Sequence, residues 1–355
     1  MSLAAIDRSG ADALRAAQAR FGPLVACSTP FAPRPPLWIE PVDARIASGL
    51  PAALDWMGEH RGDVEASLLT FGAIVLRGFP VGGTDDFAAL MGGFQSFAPG
   101  YAGGTTDRKA IKGQVMEATR TSEELYILLH QEMSYLAQNP RLVVFYCKRP
   151  SEEGGETVIC DMRGVFEALP EPLARKFLDK GVTYHRNLRS AAVDDWRADP
   201  KYRHPSWQYR FDTEDQATVT AQLAERGVSF EWLADGSLNM WTDMPGATTH
   251  PVTGERLFFN QLHAQCQHRF MIGDARADLM DGAYGASTPR PFTTTFGDGT
   301  PLSDAEFFAI QDELEGRLTR FDWRPGDVMI LENKLTAHGR KPYRGERDIQ
   351  VMLLD

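Results

Sequence analysis

Two residues set two apart, His130 and Glu132 in Leu-His-Gln-Glu-Met-Ser-Tyr at 129–135, bring together an imidazole and a carboxylate. Both are donors that a divalent transition metal accepts. The stretch before them is rich in aliphatic and aromatic residues and reads as a strand, in which residues i and i+2 point to one face. A carboxylate on an interior strand face needs a partner, because burying it alone is costly. A third donor stands far away: His338, in Leu-Thr-Ala-His-Gly-Arg, lies 208 residues beyond His130 and just after another strand-like run. Two histidines and one carboxylate form the facial set that holds iron(II) in non-heme oxygenases. The pattern HxE is short and also occurs where no metal is bound. The other histidines fit less well. His250 sits in His-Pro-Val-Thr-Gly-Glu and reads as part of a hairpin turn, His263 and His268 are five apart and match no strand or helix pairing, and His60, His185 and His204 lie in polar segments expected to be solvated.

The elements that must position these donors are strands at both ends of the chain. Residues 73–79, 126–130, 142–147 and 157–160 read as strands, the last after a Gly154-Gly155 turn, and residues 256–260, 328–331 and 349–354 read as strands near the C-terminus. Helices are expected in the N-terminal segment before the proline cluster at 30–36, over 43–60 and 84–94, after Asp161, and after two capping boxes, Thr213 with Gln216 and Ser303 with Glu306. Phe307, Ile310, Leu314 and Leu318 fall on one face of the last of these. The strands do not alternate with helices as in βαβ units, and neither GxGxxG nor GxxxxGK[ST] occurs, so a doubly wound nucleotide-binding fold is not expected. The pattern suits an α+β fold: a double-stranded β-helix, or jelly roll, with surrounding helices and a long insertion.

The chain of 355 residues can bury a full core without disulfide or metal staples. Its 37 Lys+Arg against 48 Asp+Glu give a formal net charge of −11, which argues against a nucleic-acid-binding surface and against a polybasic membrane face. The four cysteines make no CxxC pair and no zinc spacing; Cys147 and Cys160 stand in apolar runs, as buried thiols do. No signal peptide and no membrane-spanning run is read, and a cytoplasmic location is expected.

Beyond these donors the sequence resembles the TauD/TfdA family of Fe(II)/2-oxoglutarate dioxygenases, and within it the SyrP-like and clavaminate-synthase-like branch. The likeness runs from about Ala73 to the C-terminus. It rests on ordered motifs: 129–135, Gly-Gly-Glu-Thr-Val-Ile-Cys-Asp-Met-Arg at 154–163, His-Pro-Val-Thr-Gly-Glu at 250–255 with Phe-Phe-Asn-Gln at 258–261, Phe-Gly-Asp-Gly-Thr-Pro at 296–301, Pro-Gly-Asp-Val-Met-Ile-Leu-Glu-Asn at 325–333, and Ala-His-Gly-Arg at 337–340. The resemblance implies that His130, Glu132 and His338 ligate iron, and that Thr157 meets the 2-oxoglutarate carboxylate. Arg347 is the candidate for the distal carboxylate, since a guanidinium pairs with it bidentately. Relatives often carry two adjacent basic residues where this chain has Arg347-Asp348, so Arg340 stands as the alternative anchor. Ser134, Tyr135, Asn260 and Gln261 are implied to face the substrate.

The chemistry implied is oxidation of an unactivated C–H bond with Fe(II), 2-oxoglutarate and O2, releasing succinate and CO2. Related halogenases lack the carboxylate ligand, and Glu132 is present, so hydroxylation is expected; desaturation or cyclisation would use the same oxidant. The branch implies an amino acid substrate in natural-product biosynthesis, free or attached to a peptidyl-carrier protein, with no nucleic-acid or membrane partner. The rival from another class is a non-catalytic jelly-roll protein that binds a metal or ligand. Residues 1–40 are read as an N-terminal extension and 41–355 as one domain, with an insertion over about 184–243. That insertion holds Trp196, Trp207, Trp232 and Trp241. It also holds Arg186, Arg189, Arg197, Arg203 and Arg210, either a basic rim for an acidic carrier or partners of Asp194, Asp195 and Asp199.

Overall fold

The computed structural model describes residues 3–33, 35–98, 108–199, 201–202, 204–284 and 288–355. Its centre is an eight-stranded sheet with the spatial order 25–28, 37–41, 73–76, 328–332, 142–149, 348–354, 115–117 and 110–112. All its pairings are antiparallel except that of Leu37–Pro41 with Ala73–Leu76. A second sheet of four strands, in the order 319–321, 157–161, 336–340 and 127–130, completes the jelly roll. Residues 25–28 form one edge strand of the large sheet and 37–41 the strand beside it, so part of the segment 1–40, expected as an N-terminal extension, is built into that sheet.

Side chains of the central strand Leu142–Arg149 alternate between two cores. Leu142, Val144 and Tyr146 pack with Ile74, Ile330 and the helices Leu3–Phe21 and Leu50–Phe71 through Phe21, Trp56 and Leu68. Val143, Phe145 and Cys147 face the other way, with Leu129, Ile159 and Ala337 of the small sheet. Burial on both faces is why this strand reads as an unbroken apolar run. Behind the small sheet pack the helices Glu171–Lys180 and Asp304–Arg317 through Phe177, Ile310 and Leu314.

The Ser303–Glu306 capping box is formed, with both reciprocal hydrogen bonds. Thr213 does not cap the helix Gln216–Glu225. Asp215 does, its carboxylate accepting from the amides of Ala217 and Thr218. An ionised side chain one residue before the helix outcompetes a hydroxyl placed three residues before it.

The insertion region, about 184–243, supplies three strands of a four-stranded antiparallel sheet, in the order 229–232, 238–244, 182–188 and 292–296, the last coming from later in the chain, with a small core around Trp207, Val219, Leu223 and Leu238. No helix among the described residues is long and apolar enough to cross a membrane.

Candidate metal centre and cavity

The antiparallel pair Ile127–His130 and Thr336–Arg340 sets His130 directly opposite His338, which removes the 208-residue separation between them. Their ring centroids are 4.4 Å apart. The register shifts between His338 and Arg340. Gly339 stands at that irregularity, and a Cβ there would collide with the Ile127 carbonyl oxygen. His338 and Arg340, two apart on one strand, both face a cavity, as does Thr157, which pairs with Arg340 across the sheet.

Glu132 reaches the site by a different route from the one its spacing suggests. The strand ends at His130, so the pleat does not place Glu132. Asn333 does: its side-chain oxygen accepts from the Glu132 amide at 2.7 Å, while its amide nitrogen donates to the carbonyls of Glu132 at 2.9 Å and Pro140 at 2.8 Å. Met133 follows with φ 55, a left-handed residue that turns the chain away. The Glu132 carboxylate then lies with Oε2 3.7 Å from His338 Nε2, and donor atoms of His130, Glu132 and His338 all fall within 4.8 Å of one another.

These three residues suit a divalent iron ion by donor chemistry. His130 Nδ1 lies 2.8 Å from the Leu128 carbonyl, which accepts its proton and leaves the Nε2 lone pair for a metal. Burial first, then the neighbouring His338, pushes the His130 imidazole down to about 4, so it is a neutral donor near pH 7. Burial alone would raise Glu132; Arg108, with the two histidines, outweighs it and holds the carboxyl well below the usual range. Arg108 Nη2 donates to Glu132 Oε2 at 2.7 Å, with both side chains nearly buried.

The cavity has a volume of about 230 Å³. Leu125, Ile127, Phe145, Met271, Ile272 and Ile349 give it apolar walls, and Thr157, Arg340 and Arg347 also line it. Thr157 Oγ1 accepts from the Trp323 indole at 2.8 Å. Arg347 Nε donates to Gly155 O at 3.2 Å, at a Gly154-Gly155 turn whose two φ values of 64 and 71 suit glycine. Burial, and then Arg340, pushes Arg347 down to about 10. Arg340 is differently engaged: Nη1 donates to the Thr121 carbonyl at 3.0 Å, and Nη2 to those of Ser122 at 2.6 Å and Leu125 at 2.8 Å. It ties down the segment that roofs the cavity.

The four substrate-facing candidates separate. Tyr135 and Gln261 line the cavity; Ser134 and Asn260 do not. Ser134 is fully buried. Asn260 donates to Gly246 O at 2.7 Å and accepts from the Leu262 amide at 3.1 Å, which makes it a backbone brace. Gln261 braces too, donating to Gln131 O at 2.6 Å. No described residue of 184–243 lines the cavity. Arg197 is paired with Asp195, Arg189 donates to Ser190 O at 3.2 Å, and Arg186 lies 5.1 Å from the Tyr135 ring centroid. Arg203 falls outside the described residues.

His204, expected in solvent, is buried between Tyr284 and Asn187, at 3.0 and 2.8 Å. His250 takes the turn role: its Nδ1 accepts from the amides of Val252 and Thr253, at 3.3 and 3.0 Å. Arg108 was missed. It stands in a polar segment, and its partner, 24 residues on, follows no periodicity. Asn333 could have been suspected from its motif, as a buried-type polar residue ending an apolar strand.

Comparison with known proteins gives four findings. The family described as taurine catabolism dioxygenase TauD, TfdA family, matches residues 38–353. The dapdiamide synthesis protein DdaC of Enterobacter agglomerans is 28% identical over 309 residues, which is 87% of this chain and 89% of that one. A clavaminate synthase-like protein of Arabidopsis thaliana is 27% identical over 333 residues, which is 92% of this chain and 94% of that one. Among solved structures, PvcB from Pseudomonas aeruginosa covers 90% of this chain, with 12% identity and a TM-score of 0.48.

Proposed function

The chain belongs to the TauD/TfdA family of Fe(II)/2-oxoglutarate-dependent dioxygenases, and from that premise we propose that it hydroxylates an unactivated C–H bond of an amino acid or amino-acid-derived substrate, free or attached to a peptidyl-carrier protein, in a biosynthetic route. The observation that supports this reading most is the meeting of two imidazoles, one carboxylate and a buried arginine around one cavity. The similarity to a dapdiamide synthesis protein supports the biosynthetic part.

In this reading His130, Glu132 and His338 hold iron(II), and Thr157 and Arg347 take the two carboxylates of 2-oxoglutarate. When bound, iron with 2-oxoglutarate and O2 supplies the oxidant for the C–H bond, and succinate and CO2 leave. The chain's own residues fix the geometry. Leu128 O sets the His130 tautomer, Asn333 fixes the backbone at Glu132, and Gly155 O orients the Arg347 guanidinium. Phe145, Leu125 and Ile349 keep water from the reacting carbon. Arg340 in this reading secures the cavity roof and leaves the anchor to Arg347, an assignment supported by the three carbonyls that take the terminal nitrogens of Arg340.

The test is anaerobic loading with Fe(II) and 2-oxoglutarate, followed by O2 and a panel of free and carrier-bound amino acids, read by mass spectrometry with succinate measured in parallel. Substrate-dependent succinate with a product heavier by one oxygen supports hydroxylation. A product lighter by two hydrogens assigns desaturation or cyclisation. No succinate under any condition would leave the non-catalytic reading.

A further inference from the structure

The motifs at 250–255 and 325–333 meet away from the cavity, in a buried pair of titratable side chains. His250 opens the turn between the strands Ala247–Thr249 and Arg256–Phe258, and Glu332 ends the strand Val328–Glu332. Neither is among the described residues that line the cavity. Their side chains are 1% and 3% exposed, and His250 Nε2 lies 3.2 Å from Glu332 Oε1. The two backbone amides that donate to His250 Nδ1 leave the ring proton on Nε2, so an N–H faces the carboxylate. The contact is too oblique for a full hydrogen bond and acts as a dipole turned on a charge. Arg163 and Lys334 also feel the Glu332 charge. Burying a carboxylate this deeply is costly, so what it holds in place matters.

It holds the turn that carries the candidate metal site. Glu332 Oε2 accepts from the Leu335 amide at 2.7 Å, which closes the turn 333–335. Asn333, inside that turn, brackets the Glu132 backbone through its side-chain oxygen and nitrogen. The Lys334 carbonyl accepts from the side chain of Gln131, which stands between His130 and Glu132, at 3.4 Å. The strand that leaves the turn, Thr336–Arg340, carries His338. One turn thus braces the segment of two proposed ligands and delivers the third. Resting on the dioxygenase reading, we infer that His250 and Glu332 are a positioning pair for the metal centre. The imidazole orients the Glu332 carboxylate, the carboxylate fixes the turn, and the turn sets Glu132 against His338.

The experiment reads metal binding and needs no turnover. Mn(II) is titrated into the purified protein by calorimetry, at a temperature where circular dichroism shows the variants folded, and the electron paramagnetic resonance spectrum of bound Mn(II) is recorded. His250→Asn is the main variant. An asparagine oxygen can replace Nδ1 as acceptor for the amides of Val252 and Thr253, but nothing replaces Nε2, so the turn is kept and the contact with Glu332 is lost. Glu332→Gln keeps an oxygen for the Leu335 amide and removes the charge. Each should weaken Mn(II) binding about tenfold and alter the spectrum. The double variant should lose no more than about the larger single loss, because one residue acts through the other. Val219→Ala, in the core beside the insertion sheet, should lower the melting temperature and leave both readouts as in wild type. If one of the pair's variants fails to fold, the other decides alone against Val219→Ala. Unchanged Mn(II) affinity in the folded variants, losses that multiply in the double variant, or an equal loss in Val219→Ala would overturn the inference. A wild-type protein that binds no Mn(II) would strike the metal-site reading itself.

Discussion

The small sheet that walls the cavity and the sheet of the insertion are both four-stranded and carry buried polar groups, yet they use them differently. In and around the second of these, such groups pair with one another: Thr183 donates to Asp243 at 2.5 Å, Asn187 to Asn239 at 2.7 Å, and His204 lies between Asn187 and Tyr284. In the small sheet His130, His338, Thr157 and Arg340 all turn to one cavity, and their neighbours satisfy the backbone around them. Polar burial therefore marks a site only where the groups converge on space. Where they converge on each other, it marks a locked subdomain.

The sharpest way to break that contrast is at the ligands. His130→Ala, Glu132→Ala and His338→Ala should each leave a folded protein whose divalent-metal binding and turnover fall below detection; calorimetry with Mn(II) and far-UV circular dichroism check both halves. His204→Ala should do the reverse, losing stability by about 1–3 kcal/mol through stranded buried partners, with metal affinity intact. Normal metal affinity in any of the three ligand variants would remove that residue from the site.

Next in size is the cosubstrate seat. Arg347→Ala should weaken 2-oxoglutarate binding by about 2–5 kcal/mol while leaving metal affinity nearly unchanged. Arg340→Ala should mainly lower the melting temperature, through loss of the roof contacts. If the two results come out exchanged, the anchor is Arg340.

Asn333 and Asn187 are a finer pair. Asn333→Ala should cost about 1–3 kcal/mol of stability and also about tenfold in metal affinity, because the Glu132 backbone is released. Asn187→Ala should cost similar stability and nothing in metal affinity. Denaturant melts paired with metal titration separate them.

The smallest effect is expected away from the cavity. Arg189→Ala and Arg197→Ala should change kcat/KM for a small-molecule substrate by no more than about twofold, because neither residue lines the cavity. A large, salt-sensitive loss confined to carrier-bound substrate would instead give the insertion a steering role.

Much of the frame was readable before the structure. The runs at 73–76 and 142–147 announce strands because both their faces are covered, and Phe307, Ile310 and Leu314 announce a buried helix face by spacing alone. The site was readable in its residue types and less so in its geometry. The spacing of His130 and Glu132 suggests a shared pleat, but a side chain 201 residues beyond Glu132 places the carboxylate. Arg108 and His204 escaped for the same reason: their partners come from remote or aperiodic segments, and no local pattern encodes a contact of that kind.

The pairing of His130 with His338 also sets a clock. A ribosome adding about 5–20 residues per second needs roughly 10–40 s to pass from the first of these histidines to the second. Through that interval the nascent chain holds an imidazole and a carboxylate with no strand beside them and no Asn333 to fix the turn. The three donors can meet only after residues 328–354 have been made and have docked as strands, so a chain cut before them lacks two strands of the large sheet and has no competent site.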